Sequence, residues 1–142
     1  MSITNAQLRW VKSLAKKSAR VESGRFFAEG SQSLKVLVRN QHWLETIYVT
    51  DEFASENAEL LAEIRGDLIE TVDELQIERM ADATSPQGVM AICKLPTEDA
   101  DISGQPLIYL EQISDPGNLG TIIRTADASG AGTILLGTGS VD

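Results

Sequence analysis

Arg124 stands on an apolar stretch that opens from the turn Asp115-Pro116-Gly117, in the run DPGNLGTIIRTADASGAGTILLG at residues 115–137. A chain that turns into a helix presents unpaired backbone N–H groups and the positive end of the helix dipole, which suits an anion or a polar ligand. Asn118 is the expected N-cap. Leu119, Ile122, Ile123 and Ala126 recur at helical spacing as the expected buried stripe, which leaves Arg124 off it. Gly120 lies one turn earlier on nearly the same face and leaves room above a guanidinium. Asp127 is spaced to hold that group by an i, i+3 pair. By pattern alone the commoner case is an exposed arginine with an acidic neighbour. Neither a dinucleotide-binding glycine fingerprint nor a P-loop lysine motif is present.

A second set of candidates is basic. Residues 1–40 carry eight basic residues against Glu22 and Glu29, whereas residues 41–142 carry four against nineteen acids, within a net charge of −9. Arg9, Lys12, Lys16, Lys17, Arg20 and Arg25 are thus candidates to grip nucleic-acid phosphates from an otherwise acidic body, against the plainer reading of a solvated helix face. Trp10 and Trp43 could stack on bases but fit core or rim packing better. His42, the one histidine, has no evident metal partners and reads as a surface residue. Cys93, the one cysteine, excludes an internal disulfide and any thiolate-rich zinc site, and it reads as inert core. No metal is expected.

These residues must be positioned by an alternation of helices and strands. NAQLRWVKSLAKKSAR reads as one helix capped by Thr4 or Asn5, with Leu8, Val11 and Leu14 on its apolar side. RFFAEG is a short strand on which Phe26 and Phe27 face opposite ways. SQSLKVLVRNQ is a helix begun by a capping serine, and LETIYVT is a strand. SENAELLAEIRG is a helix stopped by a left-handed Gly66. DLIETV, DELQIERMADA and GVMAICKL follow as strand, helix and strand, which predicts an α/β layered domain over 1–95. Residues 96–105, held between Pro96 and Pro106 and rich in acids, read as a linker. Beyond it LIYLEQI, the Arg124 helix and GTILLG predict a buried strand, a helix and a second strand in a parallel crossover over 106–142. No stretch reaches the ~18 apolar residues of a membrane span, and the N-terminus lacks a secretory apolar region. No membrane partner is expected, and a cytoplasmic setting is.

The segment NLGTIIRTADASGAGTILLG resembles the first signature motif of the SpoU (TrmH-type) RNA ribose methyltransferases, an Asn-x-Gly-x-x-x-Arg-x-Ala pattern that ends in an aliphatic strand. Asn118, Gly120, Arg124 and Ala126 match it position by position. RFFAEGSQSLKVLV and SPQGVMAICKLP resemble the family's N-terminal α/β/α substrate-binding domain, a module shared with small ribosomal proteins, although use of Glu29, Gly30, Gln87 and Gly88 on RNA does not follow from it. The resemblance implies an N-terminal α/β/α substrate-binding domain followed by the strand-helix-strand start of a SPOUT α/β-knot methyltransferase domain. It implies S-adenosyl-L-methionine-dependent 2′-O-methylation of structured RNA, rRNA before tRNA, by a homodimer in the full-length protein. It carries a catalytic role to Arg124, joined by Asn118, with Gly120 and Asp127 in support. A guanidinium stays protonated, so its fitting role is to steady a developing alkoxide and hold a phosphate, not to act as base.

A non-catalytic RNA-binding module of the ribosomal-protein type is the alternative. A nucleotide-binding α/β enzyme is disfavoured by the missing phosphate loops. The family's two further motifs, which form the knot and most of the cofactor pocket, have no counterpart before Asp142. The 142-residue chain is therefore expected to be an N-terminal fragment that binds S-adenosylmethionine weakly or not at all and transfers no methyl group. Calorimetric titration should show no saturable heat; a clear binding isotherm would overturn the expectation.

Overall fold

The computed structural model describes residues 3–96 and 106–141, and the chain divides into two compact units, Met1–Pro96 and Thr97–Asp142. The linker reading falls on residues 97–105, outside the described residues, apart from its first position. In the first unit helices α1 (Asn5–Ser13), α2 (Lys17–Ser23), α3 (Ser31–Val38), α4 (Asp51–Glu56), α5 (Ala58–Ala62) and α6 (Glu74–Met80) surround a four-stranded sheet. Its strands β1 (Arg25–Glu29), β2 (Leu44–Val49), β3 (Ile69–Thr71) and β4 (Val89–Lys94) lie in the order β1-β4-β2-β3. β4 pairs antiparallel with β1 and with β2, and β3 runs parallel to β2.

The near-continuous apolar run of β4 marks a strand covered on both faces. Its side chains alternate accordingly. Met90 and Ile92 join Leu8, Val11 and Leu14 of the first segment and Ile77 and Met80 of α6 in one cluster. Val89, Ala91 and Cys93 join Leu34 and Val38 of α3, Ile47 and Val49 of β2 and Phe53 of α4 in the other. Phe27 packs against the first cluster and Phe26 against the second, so both contribute to a core. The result is an α/β/α sandwich.

Several local expectations are corrected. The opening segment is two helices, not one. α1 carries a capping box between Thr4 and Gln7 and stops at Ser13, because Leu14 turns fully into the core and Lys16 is extended. The freed carbonyls of Leu14 and Ala15 accept hydrogen bonds from Arg20 Nη1 at 3.0 and 2.9 Å. Ser31 is the first residue of α3 and not its cap; Gly30 holds the cap position, and the Ser31 N–H donates to Gln87 Oε1 at 3.1 Å, from 56 residues away. The helical segment before Gly66 is broken into α4 and α5. Gly66 opens a single 3-10 turn, Gly66–Leu68, and has no positive φ.

In the second unit β5 (Leu107–Leu110) and β6 (Thr133–Leu136) pair in parallel, joined by α7 (Pro116–Ser129). Asp115 caps α7, accepting from Asn118 N at 2.7 Å, so Asn118 is not the cap. Pro116 at the first helical position fits this, because its missing N–H would have no partner there. Gly130, at φ +73, ends the helix. Only Leu119 and Ala126 of the expected stripe are buried; Ile122 is half-buried and Ile123 is 46% exposed. β5 is not buried either, with Leu107 and Tyr109 open to solvent. A two-stranded sheet has too little cover to bury both faces of its strands.

Gly88 ties the sandwich together at the start of β4. At φ +70 it takes a conformation that L side chains disfavour, and a Cβ there would fall 2.6 Å from Thr50 Oγ1 and 3.2 Å from Phe53 Cβ. Thr50 cannot move aside: it is buried, its N–H donates to Gly88 O at 2.9 Å, and its hydroxyl caps α4 at Phe53 N. Gly88→Ala should destabilise the chain by about 3 kcal/mol, combining left-handed strain with overpacking. Thermal unfolding should register this as a loss of roughly 10 °C or more; an unchanged midpoint would remove the constraint.

Candidate functional site

Arg124 is exposed on α7 and folds back along its own helix. Its Nη2 donates to Thr121 Oγ1 at 3.2 Å, and the Thr121 hydroxyl donates in turn to Gly117 O at 2.9 Å. A Cβ added at Gly120 would lie 3.4 Å from Arg124 Nη1, so the guanidinium rests over the bare backbone of that glycine. Among the described residues no ion pair joins Arg124 to Asp127. The holding group is Thr121, three residues before the arginine and not three after, and the same helical spacing in the opposite direction would have revealed it. Asn118 sits in the first turn with an exposed side chain. The guanidinium keeps most of its donors available above Gly120 and Thr121, an arrangement suited to a phosphate or an oxyanion.

The six basic candidates of the first unit divide into two groups. Arg9, Lys16 and Lys17 are exposed, with no ion pair among the described residues. Lys12 reaches across to donate to Ala81 O and lies 3.9 Å from Asp82 Oδ1. Arg20 serves the carbonyls that end α1. Arg25 makes a fork-to-fork pair with Glu45, Nε to Oε2 at 2.6 Å and Nη2 to Oε1 at 2.9 Å, and donates to Ser23 O at 2.7 Å. The register of β2 slips between Leu44 and Thr46, which places Glu45 at an irregularity in its pairing with β4. The hydrogen bonds to Arg25 hold the Glu45 carboxyl below its ordinary range despite partial burial, helped by the charges of Arg25 and Lys94. The same pair raises the pKa of Arg25.

The buried titratable groups are inert. Burial pushes the Cys93 thiol up to about 11. Burial, then the charges of Glu70 and Glu45, pushes the Tyr48 phenol up to about 12. His42 is exposed, with its ring 4.6 Å from the half-buried Trp43 ring, and Trp10 is 37% exposed. Among the described residues no three metal-ligating side chains cluster.

Glu29, Gly30, Gln87 and Gly88 come together. The loop after α6 is fastened at both ends: the Glu29 carboxylate accepts from Asp82 N at 2.6 Å and Ala83 N at 3.1 Å, and Gln87 accepts from Ser31 N. Between this loop and the start of α3 lies a cleft of about 320 Å³, lined by Glu29, Gly30, Gln32, Ser85, Pro86 and Gln87, among others. Sequence reasoning located the segments but not their meeting, which depends on β1 and β4 being neighbours.

A family model described as the MRM3-like substrate binding domain matches residues 5–91. The chain is 29% identical over 147 aligned residues to the 23S rRNA (guanosine(2553)-2'-O)-methyltransferase RlmP of Bacillus subtilis, covering 99% of this chain and 55% of the relative. Among solved structures, a protein of the TrmH family from Porphyromonas gingivalis superposes with a TM-score of 0.79 at 27% identity, over 100% of this chain and 55% of that one. The AdoMet-bound rRNA methyltransferase of Sinorhizobium meliloti does so at 0.75 and 31%, with the same coverage. The chain spans about half the length of the relatives it matches.

The Arg25–Glu45 pair fixes a pH dependence. Because the Glu45 carboxyl titrates below its unfolded value, the pair's contribution is complete above about pH 5 and fades as pH falls through the folded pKa. With each side chain about one-third exposed, the pair contributes only ~0.5–1 kcal/mol. Glu45→Gln should lower the midpoint at pH 7 by roughly 2–6 °C. That gap should narrow as pH falls below the ordinary carboxylate range and through the lowered folded value; a gap independent of pH would assign the effect to packing.

Proposed function

The chain belongs to the MRM3-like substrate binding domain family, with SpoU/TrmH-type RNA methyltransferases as its relatives, and from that premise we propose that it supplies the RNA-recognising unit and the arginine-bearing start of the catalytic unit of an rRNA ribose 2′-O-methyltransferase. The observation that carries this reading is Arg124 lying over Gly120 beside the Asn118 turn, on a strand-helix-strand unit, downstream of a matched substrate-binding domain. In this reading Arg9, Lys16 and Lys17 meet RNA phosphates, while Lys12, Arg20 and Arg25 shape the surface that carries them. The complete enzyme would work as a homodimer in the cytoplasm. Among the described residues no helix is long and apolar enough to cross a membrane.

S-adenosylmethionine is the methyl donor this function requires. Residues 106–141 do not fit a complete site for it. Its adenosine and sulfonium need an enclosed, water-excluded pocket, whereas the apolar residues at the strand ends, Leu107, Tyr109, Leu135 and Leu136, are 38–57% exposed. No step is therefore routed through the cofactor here. What this chain's own residues do is narrower. A ribose hydroxyl that is being alkylated gains negative charge as its proton leaves, and a fixed guanidinium lowers the cost of that charge. Thr121 holds Arg124 for the task through one donor and leaves the rest of the fork for the sugar oxygen and an adjoining phosphate. Asn118, in the same turn, orients the ribose.

In a chain extended to its relatives' length, Arg124→Ala should lower methyl transfer to rRNA about 10²–10³-fold, the usual cost of removing one oxyanion donor, while RNA affinity changes little. Tritium incorporation under single turnover reads this directly. An unchanged rate would remove Arg124 from the chemistry.

A further inference from the structure

The cleft between the start of α3 and the loop after α6 has a composition at odds with phosphate binding. Its one charged liner is Glu29, and both oxygens of that carboxylate already accept backbone N–H groups. No basic side chain lines it. What remains are two primary amides, a hydroxyl and a proline ring, from Gln32, Gln87, Ser85 and Pro86. Amides and hydroxyls both donate and accept, which matches the edge of a nucleobase, and a proline ring gives an apolar surface on which its face can rest. A volume near 320 Å³ is at the small end of ligand pockets.

The orientation of Gln87 is fixed by chemistry. The Ser31 N–H can only donate, so the amide group facing it at 3.1 Å must be the oxygen. The Gln87 amino group then has no protein acceptor among the described residues and is free to donate to a ligand. Gly30 makes this possible: at φ +86, a Cβ there would fall 2.9 Å from Gln87 Oε1. A second cleft on the other side of Pro86 and Gln87 is lined by Glu52, Glu56 and Glu74, and its charge turns a polyanion away from that side.

We propose that this cleft reads one unpaired nucleobase of the substrate RNA, with the Gln87 amino group donating to a base carbonyl or ring nitrogen. Gln32 and Ser85 meet the base edge and Pro86 covers its face. The inference rests on the reading that the substrate is RNA and deepens it: the exposed Arg9, Lys16 and Lys17 supply affinity without sequence information, and the cleft supplies selectivity for unstacked RNA. Glu29 is a positioning residue, acting through the Asp82 and Ala83 amides that it holds.

The test uses the 142-residue chain, a mixed-sequence single-stranded oligoribonucleotide and the duplex it forms with its complement, by fluorescence anisotropy over a range of salt concentrations. The wild type should favour the single strand. Gln32→Ala with Ser85→Ala, and separately Gln87→Met, which removes the donor at similar length without adding charge, should each weaken single-strand binding by about fivefold or more. Duplex binding and the salt slope should stay unchanged. Lys16→Glu with Lys17→Glu should instead weaken both RNAs and flatten the slope by about two. Equal binding of both RNAs by the wild type, or undiminished single-strand binding in both cleft variants, overturns the cleft and leaves RNA binding standing. Absence of RNA binding by the wild type overturns the RNA reading itself.

Discussion

Strand β4 is covered on both faces, and the rest of the first unit follows from that constraint. Once Met90 and Ile92 are committed to one side and Val89, Ala91 and Cys93 to the other, two apolar helical layers are required, and α1 with α6 and α3 with α4 provide them. The segment entering such a strand has little freedom. Gly88 takes a positive φ, Thr50 and Phe53 occupy the space a side chain would need there, and the preceding Gln87 meets the first turn of α3. A polar cleft at the surface is thus positioned by apolar parity in the interior. Burial drives the arrangement and hydrogen bonds select its register.

Charge plays two separate roles in the same forty residues. A basic N-terminal segment on an acidic chain invites the reading that every lysine and arginine there faces nucleic acid. The structure divides them by partner. Arg20 closes a helix end, Arg25 is forked onto Glu45, and Lys12 holds the carbonyl of Ala81. Arg9, Lys16 and Lys17 keep their charge for solvent or a ligand. Net charge describes the long-range field, but which cations can grip a phosphate depends on which ones the backbone and the carboxylates have already engaged.

The succession of strands was legible in the sequence because β-branched and aliphatic runs alternate with amphipathic segments, and each strand among the described residues lies within a run that the pattern marks. Caps and breaks were less legible. Ser31 looked like a cap because serine favours that position, yet Gly30 holds the cap and the Ser31 N–H is satisfied by Gln87, a partner too distant for any local pattern to contain. Gly66 looked like a helix stop because glycine favours left-handed backbone, yet the helix had already ended at Ala62. Leu14 matched the helical stripe and was buried as that spacing implied, but it is the residue at which the helix turns. Arg124 and Gly120 were legible as a pair because they lie within one turn, whereas Asp127 was the wrong partner: the nearer hydroxyl of Thr121 takes the hydrogen bond. The register slip beside Glu45 left no trace in the sequence at all.

Cys93 sits on the central strand with no accessible surface and is the single thiol in the chain. A sulfhydryl reagent added to the folded protein can reach it only in molecules whose covering helical layer has lifted from β4. Covalent labelling in native buffer then acts as a stopwatch for opening of the sandwich, since fast reclosure makes the labelling rate proportional to the population of the opened form. The same residue that packs one face of the sandwich gives the protein a built-in reporter of its own cohesion, without any engineered probe.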